Sequence, residues 1–218
     1  MLNVVRMGVR SLVLAGIVAT LAPGTAMAAP PTLTGVTLSD PDPWILAACD
    51  PPRTSVIAFR ATGVPAGPYA GGSFVEAGAA SIGRQPDYEG GGSFVAGELR
   101  AFAASFSIET PDATITGIKR ADASSAGSGT CRRVTNDIGN ARFVSAGAPL
   151  LTYEARIVTA EGTFVDRGRS ALEVRRFTTD LASPFASFSE TFESSLSEPL
   201  PVPASAEELV LARRLRAP

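Results

Sequence analysis

Three near-identical tetrads dictate how this chain turns back on itself: Gly72-Ser73-Phe74-Val75, Gly92-Ser93-Phe94-Val95 and Gly162-Thr163-Phe164-Val165. In each, a glycine lets the backbone leave a tight turn. The hydroxyl, aromatic and β-branched residues that follow suit the start of a half-buried strand. Arg142-Phe143-Val144 is a looser echo. No nucleophile, base or metal ligand recurs with the motif, so it speaks of folding and not of chemistry.

The rest of the chain from Pro30 onward agrees with strands and turns. Leu33 to Leu38 is a first strand candidate, stopped by Asp40-Pro41-Asp42-Pro43, where two prolines cannot donate to a ladder. Trp44 to Cys49 is short and apolar, and Asp50-Pro51-Pro52 turns the chain again. In Ser55 to Thr62, Ile57 and Phe59 fall on one side and Val56, Ala58 and Arg60 on the other. The clearest alternation puts Phe102, Ala104, Phe106 and Ile108 on one face, with Ala103, Ser105, Ser107 and Glu109 opposite. Thr110-Pro111-Asp112 should fold this strand back into Thr114 to Lys119 as a hairpin. Ala121 to Thr130 is small, polar and glycine-bearing, and reads as a surface loop pinned by Cys131.

A second hairpin runs from Leu151 through Ile157, turns at Ala160-Glu161-Gly162 and returns through Phe164 to Val174, with Leu151, Tyr153, Ala155 and Ile157 inward. Ile108 to Ile115 lies over Ile157 to Phe164 at a constant offset, a short match that we read as a shared hairpin solution. Phe102, Phe106 and Ile108 should share one core with Tyr153 and Ile157. Phe185, Phe188 and Phe192 supply aromatics to a last strand over Ala186 to Glu193; their spacing also permits a helix, and the Ser and Thr content favours the strand.

These elements predict an all-β fold, an antiparallel β-sandwich or β-barrel of about ten strands with a short C-terminal helix. Residues 1–28 read as a signal peptide: Arg6 and Arg10 are its basic start, Ser11 to Leu21 its apolar stretch and Ala26-Met27-Ala28 its cleavage site. The apolar stretch is about half the roughly 20 residues that span a bilayer, so no stable membrane anchor is expected. Residues 29–198 are then a single β domain. Residues 199–218 form a proline-rich linker and a helix capped by Ser205 and Glu208, with Arg213, Arg214 and Arg216 at its C-terminal end. Leu211 and Leu215 share a face of it and could dock on the domain or on a partner.

Cys49 and Cys131 are the only cysteines, and an even count in an exported chain favours a disulfide closing a loop of about 80 residues. The expected compartment is secreted and extracellular, or periplasmic where an outer membrane exists. A formal net charge of −2, more acidic once Arg6 and Arg10 are removed, argues against nucleic acid or an anionic membrane as partner. Every basic residue except Lys119 is arginine, which with the abundant Ala and Gly suggests codon bias.

Gly67-Pro68-Tyr69-Ala70-Gly71-Gly72-Ser73-Phe74-Val75-Glu76-Ala77-Gly78 and Gly162-Thr163-Phe164-Val165-Asp166-Arg167-Gly168 resemble the G-P-Y-x-G-[ST]-F and G-T-F-x-[DE]-x-G segments of small exported bacterial β-rich proteins. The first departs from that pattern by one extra glycine. The resemblance implies an exported β-rich protein and assigns no site residues, since no activity is established for such proteins.

The chain has no histidine. That excludes imidazole-based triads, histidine-ligated zinc or copper and histidine acid–base catalysis. A carboxylate pair is still permitted, with Glu154, Asp166 and Glu173 as candidates, although in alternation with apolar residues they read as a solvated face. Asp40 and Asp42 could offer oxygens to Ca²⁺ but read as turn formers, and the spacing is not that of an EF-hand loop. Arg167, Arg169 and Arg175 share a strand parity and read as an outer face interrupted by Glu173. Lys119 should follow a strand edge and precede a polar loop, and the acidic residues that can be placed should lie mostly in turns or on polar strand faces. No catalytic residue, metal or cofactor is therefore assigned. Two functions stay open: a non-catalytic module that is structural or binds a glycan, a small apolar ligand or a protein, and a histidine-free carboxylate-dependent hydrolase acting on an extracellular glycan.

Overall fold

The computed structural model describes residues 30–50, 53–85, 97–121, 127–136, 139–179, 185–195 and 200–201. Within them the chain forms eleven strands: β1 (Thr37–Asp40), β2 (Trp44–Ala48), β3 (Ser55–Gly63), β4 (Ser73–Ile82), β5 (Gly97–Glu109), β6 (Ala113–Ala121), β7 (Ser128–Asn136), β8 (Gly139–Thr159), β9 (Gly162–Thr179), β10 (Phe185–Ser194) and β11 (Leu200–Pro201). All belong to one antiparallel sheet in the order β1-β10-β9-β8-β6-β5-β4-β3-β2, with β7 added against β5 and β8 and β11 against β9. The two ends of that order approach each other. Thr37 of β1 and Ala66, just past β3, exchange backbone hydrogen bonds of 2.8 and 3.2 Å.

The organising tetrads sit where tight turns feed strands. Gly71 has φ +85°, and a Cβ on Gly72 would stand 2.4 Å from the carbonyl oxygen of Glu109, so only glycine lets β4 start this close to the end of β5. Gly162 opens β9 at φ +147°. The copy at Gly92 to Val95 lies outside the described residues, as do the stretches read from the sequence as a signal peptide and a C-terminal helix.

The expected alternation holds in both hairpins. Phe102, Phe106 and Ile108 of β5 share one buried cluster with Tyr153 and Ile157 of β8. Rings from strands far apart in the order meet there: Phe59 stacks near Phe102 (6.0 Å between centroids) and Phe188 (5.8 Å), while Phe192 packs on Phe106 and on Tyr153 (5.3 Å each). Phe188 and Phe192 point inward from β10, which is a strand and not a helix, whereas Phe185 is exposed.

Three expectations need correction. The first strand begins at Thr37 and not at Leu33, because Gly35 turns at φ +80°; Leu33 and Val36 are instead fully buried ahead of it. Ser128 to Thr130 is strand and not loop, and Thr130 is buried. Its glycines are packing devices: a Cβ on Gly127 would press on Leu99 at 2.8 Å, and one on Gly129 on Ile82 at 2.5 Å. Within the proline-rich linker, Leu200 and Pro201 lie on the sheet opposite Val165 and Phe164.

Cys49, just past β2, is bonded to Cys131 of β7, with 5.2 Å between their Cα atoms. The buried Gln85 accepts the backbone N–H of Cys131 at 3.2 Å, and Arg176 of β9 donates to the carbonyl of Ile45 at 2.6 Å. Edge strand β2 is thus tied down from two sides. Mass spectrometry after alkylation without reductant should find neither thiol labelled; labelling of both would contradict the bond. Among the described residues no helix is long and apolar enough to cross a membrane.

Candidate functional site

The charged residues divide by strand parity. On the outer face, Glu154 of β8 stands opposite Arg167 of β9 and accepts its Nε–H at 2.7 Å, both side chains being more than half exposed. Glu173 and Arg175, two apart on β9, also pair in the open, and Arg169, between Arg167 and Glu173, is exposed. The arginine stripe is therefore a solvated face, partly neutralised by its own carboxylates. Glu173 lies seven residues from Asp166 along β9, about 23 Å of strand, so these carboxylates do not converge.

Asp166 corrects the expectation of a solvated position, because it has the opposite parity and is fully buried. Its carboxylate accepts the backbone N–H of Leu33 at 2.8 Å, the Tyr153 hydroxyl at 2.9 Å and the Ser194 hydroxyl. It therefore fastens the segment ahead of β1 to β8 and to the end of β10. Burial, with this carboxylate nearby, pushes Tyr69 from its ordinary 10 up to about 12 and pushes Tyr153 up as well. A raised tyrosine stabilises the fold fully below pH 10, and that contribution is lost as the pH rises towards 12. In a Tyr88→Phe protein, ultraviolet titration should therefore show no phenolate at pH 10 while the fold persists; two phenolates forming there would contradict this burial.

Lys119 is the larger correction. It belongs to β6, on the inward parity of Ala113 and Ile115, and its side chain has no exposed surface. Its Nζ donates to Oε2 of Glu76 on β4 and to Oε2 of Glu190 on β10, both equally enclosed. The ring of Phe106 lies 4.9 Å away and that of Phe192 5.1 Å, each centroid within cation–π range. Gly117, opposite Phe106 in register, leaves room for that ring: a Cβ there would stand 2.4 Å from it. Burial first, and then the neighbouring Glu190, hold Glu76 well above the usual carboxylate range, with Lys119 pulling the other way. The protonated form of Glu76 is thereby favoured, which lessens the charge held in the enclosed cluster.

Comparison with protein-family models, curated proteins and solved structures finds no match. The site must therefore be judged on its own geometry.

Asp40 uses its carboxylate on the backbone N–H groups of Asp42 (2.9 Å) and Thr62 (2.8 Å), which makes the Asp-Pro repeat a fastened turn. Among the described residues no group of three or more acidic or cysteine side chains is placed to hold a metal. On the outer surface, Val75, Ser107, Thr116, Ile118 and Arg156 border a shallow depression of about 520 Å³.

Charge alone predicts exposure for Glu76, Lys119 and Glu190, whereas their strand parity points inward. Parity was the available signal. Glu76 shares the phase of Phe74, Ala80 and Ile82; Lys119 that of Ile115; and Glu190 that of Phe188 and Phe192.

Proposed function

We propose that this chain is an exported, non-catalytic β-domain whose sheet closes into a barrel, with a packed interior and with binding or structural duties on its outside. The observation that supports this most is the complete enclosure of Lys119, Glu76 and Glu190, the groups best suited to acid–base work. No substrate reaches them without opening the fold. The exposed candidates Glu154 and Glu173 are engaged by arginines on an open face, which does not suit a pair of glycosidase carboxyls. The backbone bridge between Thr37 and Ala66 supports closure of the two sheet ends. The signal peptide reading and the disulfide support export.

The outer face also disfavours lipid. A membrane barrel carries an apolar band outside and a polar lumen, and here charges at Glu154, Arg167, Arg169, Glu173 and Arg175 point outward while the rings fill the inside. The outward residues best suited to a partner or a glycan are Trp44 and Leu46 of β2 with Val56 of β3, all exposed.

Trp44 is the only tryptophan, so its emission reports directly on that face. Titration of mature protein with glycans, small apolar ligands and candidate proteins should shift the emission and raise Tm for a true ligand, and Trp44→Ala should remove both effects. Hydrolysis of a polysaccharide, ester or peptide that is lost in Glu154→Gln, Asp166→Asn or Glu173→Gln, with the fold retained, would overturn the non-catalytic reading in favour of the hydrolase.

A further inference from the structure

We propose that Lys119 and Glu76 condense to an intramolecular isopeptide bond, with Glu190 as the proton carrier. Three side chains from β4, β6 and β10 meet in contact, none with any exposed surface, and Nζ lies beside the packed rings of Phe106 and Phe192. Within this cluster Oε1 of Glu76 and Oε1 of Glu190 have no hydrogen-bond partner among the described residues. Nζ is thus the one N–H group that reaches either carboxyl group among the described residues, which leaves both in contact with a single amine. The residue type matters too. Everywhere else this chain uses arginine, but a guanidinium does not give up its proton, whereas a desolvated lysine does and becomes a nucleophile.

The step balances without any outside reagent. Lys119 passes one proton from Nζ to the carboxylate of Glu190, giving a neutral amine beside a neutral acid. The lone pair on Nζ attacks Cδ of the protonated Glu76. Glu190 hands its proton to the departing hydroxyl oxygen and takes up a proton from Nζ, so that the Cδ–O bond breaks and one water leaves. An Nζ–Cδ amide is left with Glu190 as the acid. Fixed contact between amine and carboxyl replaces the chemical activation that free reactants would need. The product joins β4 to β6 across the intervening β5, 43 residues apart in the chain, and turns a buried ion cluster into a neutral amide that can hydrogen-bond Glu190.

Intact-mass spectrometry of the mature, folded protein should find it one water (about 18 Da) lighter than its disulfide-bonded sequence mass. Trypsin should fail to cut after Lys119 and should release residues 61–84 joined to residues 101–120. Glu190→Gln should stay at full mass, or convert at least about a hundredfold more slowly, because the proton carrier is gone. A wild-type protein at full mass that is cut normally after Lys119 would overturn the proposal. A link from residues 101–120 to residues 177–213 would overturn the assignment to Glu76 and place the bond at Glu190. The wild-type measurement needs no variant to fold.

Discussion

Lys119→Met should destabilise the protein by at least about 3–5 kcal/mol, the cost expected when one partner of a buried ion cluster is removed and the others stay behind, and by more where the amide to Glu76 has formed. Methionine approximates the length and volume of the lysine stem, so the packing against Phe106 and Phe192 is largely kept. What is lost is the one cation that faces two enclosed carboxyl groups. Glu76 is already pushed towards its protonated form by burial, and both carboxyl groups would be left enclosed without a cation. Adding Glu76→Leu and Glu190→Leu to Lys119→Met should recover this charge penalty, because an apolar trio leaves no charge unpaired, but not the contribution of an amide cross-link. Urea unfolding of the three proteins measures this. A Lys119→Met protein as stable as wild type would mean that the cluster is hydrated and that the interior is open.

The second large effect is at Phe106. Phe106→Ala should cost about 3–5 kcal/mol, as ring truncations in a packed core do. Its ring lies against Phe192 at 5.3 Å, covers Gly117 and forms one wall of the lysine enclosure, so the truncation also exposes the cluster to water. Ser105→Ala, one residue away on the exposed face of β5, should change stability by no more than about 0.5 kcal/mol. Equal and small effects at both positions would mean that the inward face of β5 has been misassigned.

The strands that were legible from the sequence are those whose alternation is made by bulky apolar residues. Phe102 to Ile108 and Leu151 to Ile157 announce their buried face locally, and the cysteine pair follows from an even count taken with the export expected from residues 1–28. Gly127 and Gly129 misled, since a glycine that lets Ile82 and Leu99 pack closely looks the same in sequence as one that loosens a loop. Leu33 to Val36 misled because an apolar run says that it is buried and not that it is extended. The inner site was half legible. Asp166 has the opposite parity to Arg167, Arg169 and Arg175, which places it inside once β9 is accepted as a strand. That Glu76, Lys119 and Glu190 converge depends on β4, β6 and β10 facing one another, and no local pattern encodes which strands meet across an interior.

Because Lys119 is the only lysine, amine labelling probes the enclosed interior with little ambiguity. Native mature protein exposed to an amine-acylating reagent should be modified at its amino terminus and not at Lys119, whether the lysine is held as an ammonium or as an amide. Acylation of Lys119 in the native state at the rate of an exposed lysine would contradict the sealed, packed interior on which this account rests.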